Sequence, residues 1–310
     1  MNGLKIAAAA AAGSLLLALV SSEALAQGDT GVAARRAELE KILRSQHPQG
    51  GDIHVPGTDA TLHLGSRYYF LKADEAKQVL VAWGNPPDSA KGVLGMVFPA
   101  GATFLDRDTW TGVVTYDPAG YVNDEDADKA NYQKLLDQAR EGEDADNEQR
   151  KKDGFAGAHL VGWAQPPSYD KARHYMIWAR DIRFDGEDTD TLNYDVRVLG
   201  RRGYLSLNVV TSMDKLPQIR TEAAQLASVA AFDPGAAYGD YQPGGDKKAE
   251  YGIAGLVAAG IGVAAAQKLG LLAVVALFAK KLIVLIVAGG AALAARFKRL
   301  FGKKPSAPAG

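Results

Sequence analysis

His54 and His63 flank the turn segment PGTDA, and two imidazoles facing each other across a hairpin would make half of a tetrahedral zinc site. No third ligand stands at diagnostic spacing, so a solvated hairpin face accounts for the pair better. Asp124, Asp126 and Asp128 repeat at the spacing that opens a calcium loop. Lys129 stands where that loop needs glycine and Leu135 where it needs a bidentate acid, which leaves helix-capping acids as the better account. Ser212-Met213-Asp214-Lys215 fits the S-x-x-K nucleophile pattern of penicillin-binding enzymes, yet neither S-D-N nor K-T-G accompanies it. The position reads instead as a strand end before a helix. The body of the chain has no G-x-S-x-G, H-E-x-x-H, Walker loop or dinucleotide glycine pattern. No catalytic, cofactor-binding or metal-ligating set follows from these residues.

The densest chemistry lies in WAQPPSYDKARHYMIWA, residues 163–179. Strand alternation puts His174, Met176, Trp178 and Arg180 on one face and Tyr175, Ile177, Ala179 and Asp181 on the other. Trp163, Pro166, Pro167, Tyr169, His174 and Trp178 form a candidate recognition surface, able to stack on sugars or hold an extended peptide. A rival reading assembles an envelope hydrolase or ligand-binding site from His174, Asp170 and Asp181. The plainer reading gives the proline pair the end of a strand, Tyr169-Asp170 a turn, and the aromatics a core between sheet and helices.

The elements around this stretch predict an α+β domain with a largely antiparallel sheet and flanking helices. VAARRAELEKILRS is helical up to His47-Pro48, DIHV and TLHL make a hairpin, YYFL continues the strands, and ADEAKQVLVAW has helical spacing. GVLGMVFP and WTGVVTY are strands. The acidic run from Asn123 to Gly154 is helical, polar and solvated. Four strands follow, within which Leu192, Tyr194, Val196 and Val198 alternate with Asn193, Asp195 and Arg197, and GRRG closes a hairpin. LPQIRTEAAQLASVAAF is a final helix. WGNPP at Trp83 and WAQPP at Trp163 echo each other with Lys91/Lys171 and Met96/Met176 in register, which suggests a duplicated helix-strand unit.

The two ends place the domain. Residues 1–26 carry Lys5, an apolar run and Ala24-Leu25-Ala26, the pattern of a signal peptide cut after Ala26. The absence of cysteine excludes a lipidated cysteine, a disulfide framework and thiol catalysis. Acidic residues outnumber basic ones 35 to 26 over residues 27–250, the 27–232 domain and a Gly/Pro-rich linker at 233–250, which argues against nucleic acid as partner. From Tyr251 onward eight bases and no acids occur, in a transmembrane region at 251–296 followed by a basic tail at 297–310. That bias puts the tail in the cytoplasm. Two routes across stay open: one tilted span that includes Lys280 and Lys281, or a hairpin turning at them. Gly252, Gly255, Ala259 and Gly262 offer a small-residue face for homo-oligomers. The chain is thus expected in a bacterial inner membrane, its main domain extracytoplasmic, with an envelope protein as partner.

HLVGWAQPPSYDKARHYMIWARDIRF, LNYDVRVLGRRGYLSLNVV, SMDKLPQI, YYFL…WGNPP…VLGMVFP and DKKAEYGIAGLVA together resemble the bacterial membrane-anchored proteins grouped as domain of unknown function 2167. The likeness runs in order over roughly residues 55–300. It implies an envelope protein with an extracytoplasmic α+β domain and a C-terminal anchor, and it supplies no catalytic residues. The expectation is a non-enzymatic interaction or scaffold module.

Overall fold

The computed structural model describes residues 29–262, apart from 84, 86, 107, 108 and 153. The segment expected as a signal peptide, most of the expected transmembrane region with its lysine pair, and the basic tail lie outside the described residues.

Seven strands make the central sheet: β3 (Tyr68–Lys72), β4 (Val93–Pro99), β5 (Thr111–Asp117), β7 (Ala158–Asp170), β8 (Tyr175–Phe184), β9 (Thr191–Leu199) and β10 (Tyr204–Ser212). Their order is β3-β4-β5-β10-β9-β8-β7, and every neighbouring pair is antiparallel. A three-stranded sheet of β1 (Asp52–His54), β2 (Ala60–His63) and β11 (Ala230–Phe232), with helix α5 (Leu216–Val229), covers the first face. Ile219, Ala223 and Leu226 of α5 are fully buried against Tyr194, Val196 and Leu207. Ile219 and Leu226 each contribute about 1.5–3 kcal/mol by leaving water.

The second face has two covers. Helix α2 (Ala73–Ala82), backed by α1 (Asp29–Arg44), packs on β3–β5 through Ala76, Val79 and Leu80. Helices α3 (Tyr132–Glu141) and α6 (Ile253–Gly260), with the parallel pair β6 (Tyr121–Asn123) and β12 (Lys248–Gly252), pack over Met176, Trp178 and Tyr204. A polar row crosses this face of β8–β10: Arg180, Asn193, Asp195, Arg197 and Ser206 are all buried. The α+β antiparallel architecture read from the sequence is thus present, and strand alternation in β8 and β9 assigns their faces correctly.

Four local expectations differ. The proline pair lies inside β7, where the register skips from Gln165↔Ala179 to Ser168↔Ile177. Proline has no N–H to give a ladder, and an irregular edge strand tolerates that loss. The acidic segment forms α3 and α4 (Glu143–Lys152), which dress the β7 edge. Leu160 N donates to Glu143, Ala158 N to Asn147, and Arg140 donates to the Leu160 and Val161 carbonyls. Ala230-Ala231-Phe232 leaves α5 to pair with β2. The echo between Trp83 and Trp163 is not carried into the fold, since Trp83 caps α2 and Trp163 lies within β7.

Residues 233–250, expected as a linker, are packed. Arg201 grips Asp246 with two bonds of 2.7 and 2.9 Å, and Gln242 N donates to the same carboxylate. Tyr238 is buried. The apolar stretch expected to enter a membrane at 251 begins inside the domain, because Ile253, Leu256, Val257 and Ala258 are fully buried in it. Among the described residues no helix is long and apolar enough to cross a membrane.

The Arg201 grip predicts a pH dependence. Arg201 holds the Asp246 carboxyl below its ordinary range, with the Gln242 amide assisting. A depressed acid adds stability that is complete above the ordinary carboxylate range and fades as pH falls through the folded-state value. Thermal unfolding followed from pH 7 to pH 3 should therefore fall less steeply in Asp246→Asn than in the wild type. Parallel curves would show that the grip contributes nothing.

Candidate functional site

His174 is fixed from several directions at the end of β7–β8. Asp170 accepts from Ala172 N and Arg173 N at 2.9 and 3.0 Å and so shapes the turn. The chain then re-enters β8 through His174 at φ 55°, the one non-glycine at positive φ among the described residues. Such a backbone costs about 1–2 kcal/mol in a residue with a Cβ. The conformation is secured by Leu199 N donating to the His174 carbonyl at 2.9 Å and by the ring's neighbours.

Those neighbours come from distant segments. Four rings stack in the order Tyr241, Tyr121, Tyr238, His174, with centroid separations of 3.9, 4.5 and 4.2 Å. The Tyr238 hydroxyl donates to the Val122 carbonyl at 2.8 Å, which pins the middle of the ladder. Tyr169 donates to Asp124 Oδ2 at 3.0 Å and lies 3.1 Å from His174 Nδ1. Burial, reinforced by Asp124, raises the Tyr169 pKa well above the usual phenol range, so its proton stays in place. Tyr238 is raised for the same first reason, burial. With Tyr169 donating to Asp124, the Nδ1 proton of His174 points to the Tyr169 oxygen. In the neutral ring Nε2 is then the acceptor nitrogen.

The recognition residues expected from sequence divide. Trp163, Tyr169 and His174 are half-buried, Pro166 is exposed, and Pro167 is buried. Trp178 is 0 % exposed and belongs to the core beneath α6, so it offers no surface to a ligand. Trp163 Nε1 donates to the Tyr132 carbonyl at 3.3 Å, tying its ring to α3. The rival set of His174, Asp170 and Asp181 does not converge. Asp170 is engaged by its turn, and Asp181 lies on the first face, where burial and nearby Asp190 raise its pKa. Tyr238 and Tyr241 escaped the sequence reading as site residues, as did Tyr121, and Asp124 entered it only as a calcium-loop or helix-capping acid, because only the fold brings them to His174.

The other candidates take ordinary roles. His63 pairs with Asp52 at 2.9 Å and His54 with Asp233 at 3.5 Å, and the strand register sets each opposite a different residue. Among the described residues no group of three His, Asp or Glu could hold a metal. Asp126 caps a helix far along the chain, accepting from Ile253 N at 2.8 Å and Ala254 N at 3.2 Å. Ser212 ends β10 and hydrogen-bonds Asp214, which lies below its ordinary pKa for that reason first. A surface groove of about 680 Å³ lies between α1 and α2, on the other arm of the second face from His174.

The family model described as Protein of unknown function (DUF2167) matches residues 47–291. A comparison with curated proteins finds no match. Among solved structures, the chain is similar to the solution structure of cyanobacterial PsbP (CyanoP) from Synechocystis sp. PCC 6803. That likeness has a TM-score of 0.34 and 11 % identity, and covers 61 % of this chain and 93 % of that one.

Proposed function

The chain belongs to the family described as Protein of unknown function (DUF2167), and on that premise we propose that it is a non-enzymatic recognition module of the bacterial cell envelope. In this reading the C-terminal apolar and basic segment anchors the domain in the inner membrane, the domain stands outside the cytoplasm, and a protein partner docks on the Tyr241–Tyr121–Tyr238–His174 ladder with Trp163 beside it. The signal-like residues 1–26 and the charge asymmetry of the two ends support the placement.

The observation that carries the reading is the ladder's stacking. Tyr241, Tyr121 and His174 are partly exposed and already stacked on one another or on the buried Tyr238, so they lose little conformational freedom when a partner covers them. A non-glycine residue held at φ 55° within the same cluster marks a position where strain is retained.

The test is capture of the tagged full-length protein from native membranes in mild detergent, with crosslinking and mass spectrometry. His174→Asn keeps a residue tolerant of left-handed backbone while removing the ring, and Tyr241→Ser removes the end of the stack. Either change is expected to reduce capture of a stoichiometric partner by about tenfold or more, the scale of an interface anchor. Undiminished capture by folded variants, or crosslinks that avoid residues 121–124, 163–174 and 238–241, would overturn the reading.

A second reading rests on the Asp124–Tyr169–His174 chain, which orients an imidazole acceptor as a general base requires. It makes the domain an envelope hydrolase or ligand-binding enzyme. Recovery of the protein without a partner, together with a substrate turnover lost in His174→Gln, would favour it.

A further inference from the structure

The described chain ends in β12 and α6, which close over the second face with Ile253, Leu256 and Val257 buried in the core. β12 pairs with β6 at Lys248↔Tyr121 and Gly252↔Asn123, with an irregularity between them. Asp126 caps α6, and it approaches so closely that a Cβ on Gly252 would meet its carboxylate at 2.5 Å. At the far end Gly260 lies on Trp178, where a Cβ would meet the indole at 2.5 Å. Gly255 likewise has Tyr251 against it. Gly252 and Gly255, expected to form an oligomerising face, thus serve close packing within the chain.

Beneath α6, apolar packing is interrupted. Trp178 Nε1 and Arg197 Nε are withdrawn from solvent and make no hydrogen bond, and Asp195 Oδ2 faces Arg180 at 3.7 Å without a hydrogen bond of its own. A polar atom left so raises the free energy of the closed arrangement, and water restores its bond when the cover lifts. The same cover touches the ladder, because Tyr121, which pairs with Lys248 and donates its N–H to the Lys247 carbonyl at 2.9 Å, is the second ring of the stack.

We infer that β12–α6 is a releasable strap. It opens as a unit without unfolding the central sheet, and its opening is coupled to the ladder. When the strap lifts, Tyr121 loses its neighbour and the stack on His174 loosens. The functional meaning of that coupling rests on the recognition reading above; the opening itself does not.

Hydrogen exchange with mass spectrometry on the full-length protein in mild detergent tests this. Peptides spanning 248–262 are expected to exchange about tenfold or more faster than β9–β10, the behaviour of a unit that opens below the global free energy. Asp126→Ala should accelerate them a further fivefold or so, about the effect of losing one helix cap, and leave β9–β10 unchanged. Residues 169–174 should follow the strap.

The chain has no cysteine, so thiol labelling of Val257→Cys gives an independent readout that leaves the cap intact. Exchange of 248–262 in step with β9–β10, or labelling at Val257→Cys only on global unfolding, would overturn the strap. Strap exchange without a response at 169–174 would overturn the coupling. Normal strap exchange together with partner capture that is insensitive to His174→Asn would instead overturn the recognition reading alone.

Discussion

Trp178→Ala is expected to lower the stability of the domain by about 3–5 kcal/mol, the range for emptying a buried large aromatic site. The indole is 0 % exposed and lies between the sheet and α6, with Met176, Leu256 and Val257 in the same cluster. It also carries the Arg197 guanidinium 5.2 Å above its ring, and Tyr204 carries the same group at 5.3 Å. Removal therefore leaves a cavity and strips one face from a buried cation, two losses that act in the same direction. Trp178→Phe should cost much less, because it keeps an aromatic face for Arg197 and deletes an N–H that has no acceptor. Denaturant midpoints with unchanged slopes would measure both. A cost below about 1 kcal/mol for Trp178→Ala would contradict the packing described. For partner binding the informative tryptophan is Trp163, whose ring is half-buried and tied to the Tyr132 carbonyl.

The difference between these tryptophans shows what the sequence could reveal. Period-two alternation in LNYDVRVL places Leu192, Tyr194, Val196 and Val198 on the face that α5 covers. The same alternation marks Asn193, Asp195 and Arg197 as outward, and they are outward from that core, yet the second face is roofed by elements far along the chain. Alternation identifies opposite faces but not what lies over each. Residues 253–260 are as apolar as the segment after them, so no local signal separates a helix packed on its own domain from the start of a membrane span. The ladder was illegible for a related reason. Its rings come from positions 121, 174, 238 and 241, and Tyr238 and Tyr241 stand in a Gly/Pro-rich stretch whose order depends on the distant Arg201. The left-handed backbone at His174 had no glycine or asparagine to announce it.

Asp195→Ala is the second large effect. Asp195 is 1 % exposed, accepts from Arg197 at 2.9 Å, and stands 3.7 Å from Arg180, so one carboxylate faces two buried guanidinium groups. Burial alone would weaken the charge on Arg197, but Asp195, with Tyr204 and Asp117 beyond it, outweighs that and holds its pKa above the ordinary arginine value. Arg180 is lowered, by burial first, with Arg197 adding to the effect and Asp195 opposing it. Removing the carboxylate leaves two like charges without their shared counterion, for which a loss of about 3–5 kcal/mol is expected. Arg197→Met should cost less, since Arg180 and Asp195 then balance one to one and the methionine fills space between Trp178 and Tyr204. Replacing Arg180, Asp195 and Arg197 together by Met, Leu and Met should recover most of the stability, because the desolvation of all three charges disappears with them. Urea denaturation in low and in 1 M salt separates this row from surface pairs such as Arg183–Asp190. A buried set is screened little, so the Asp195→Ala loss should persist in high salt, and its disappearance there would show that water reaches the row.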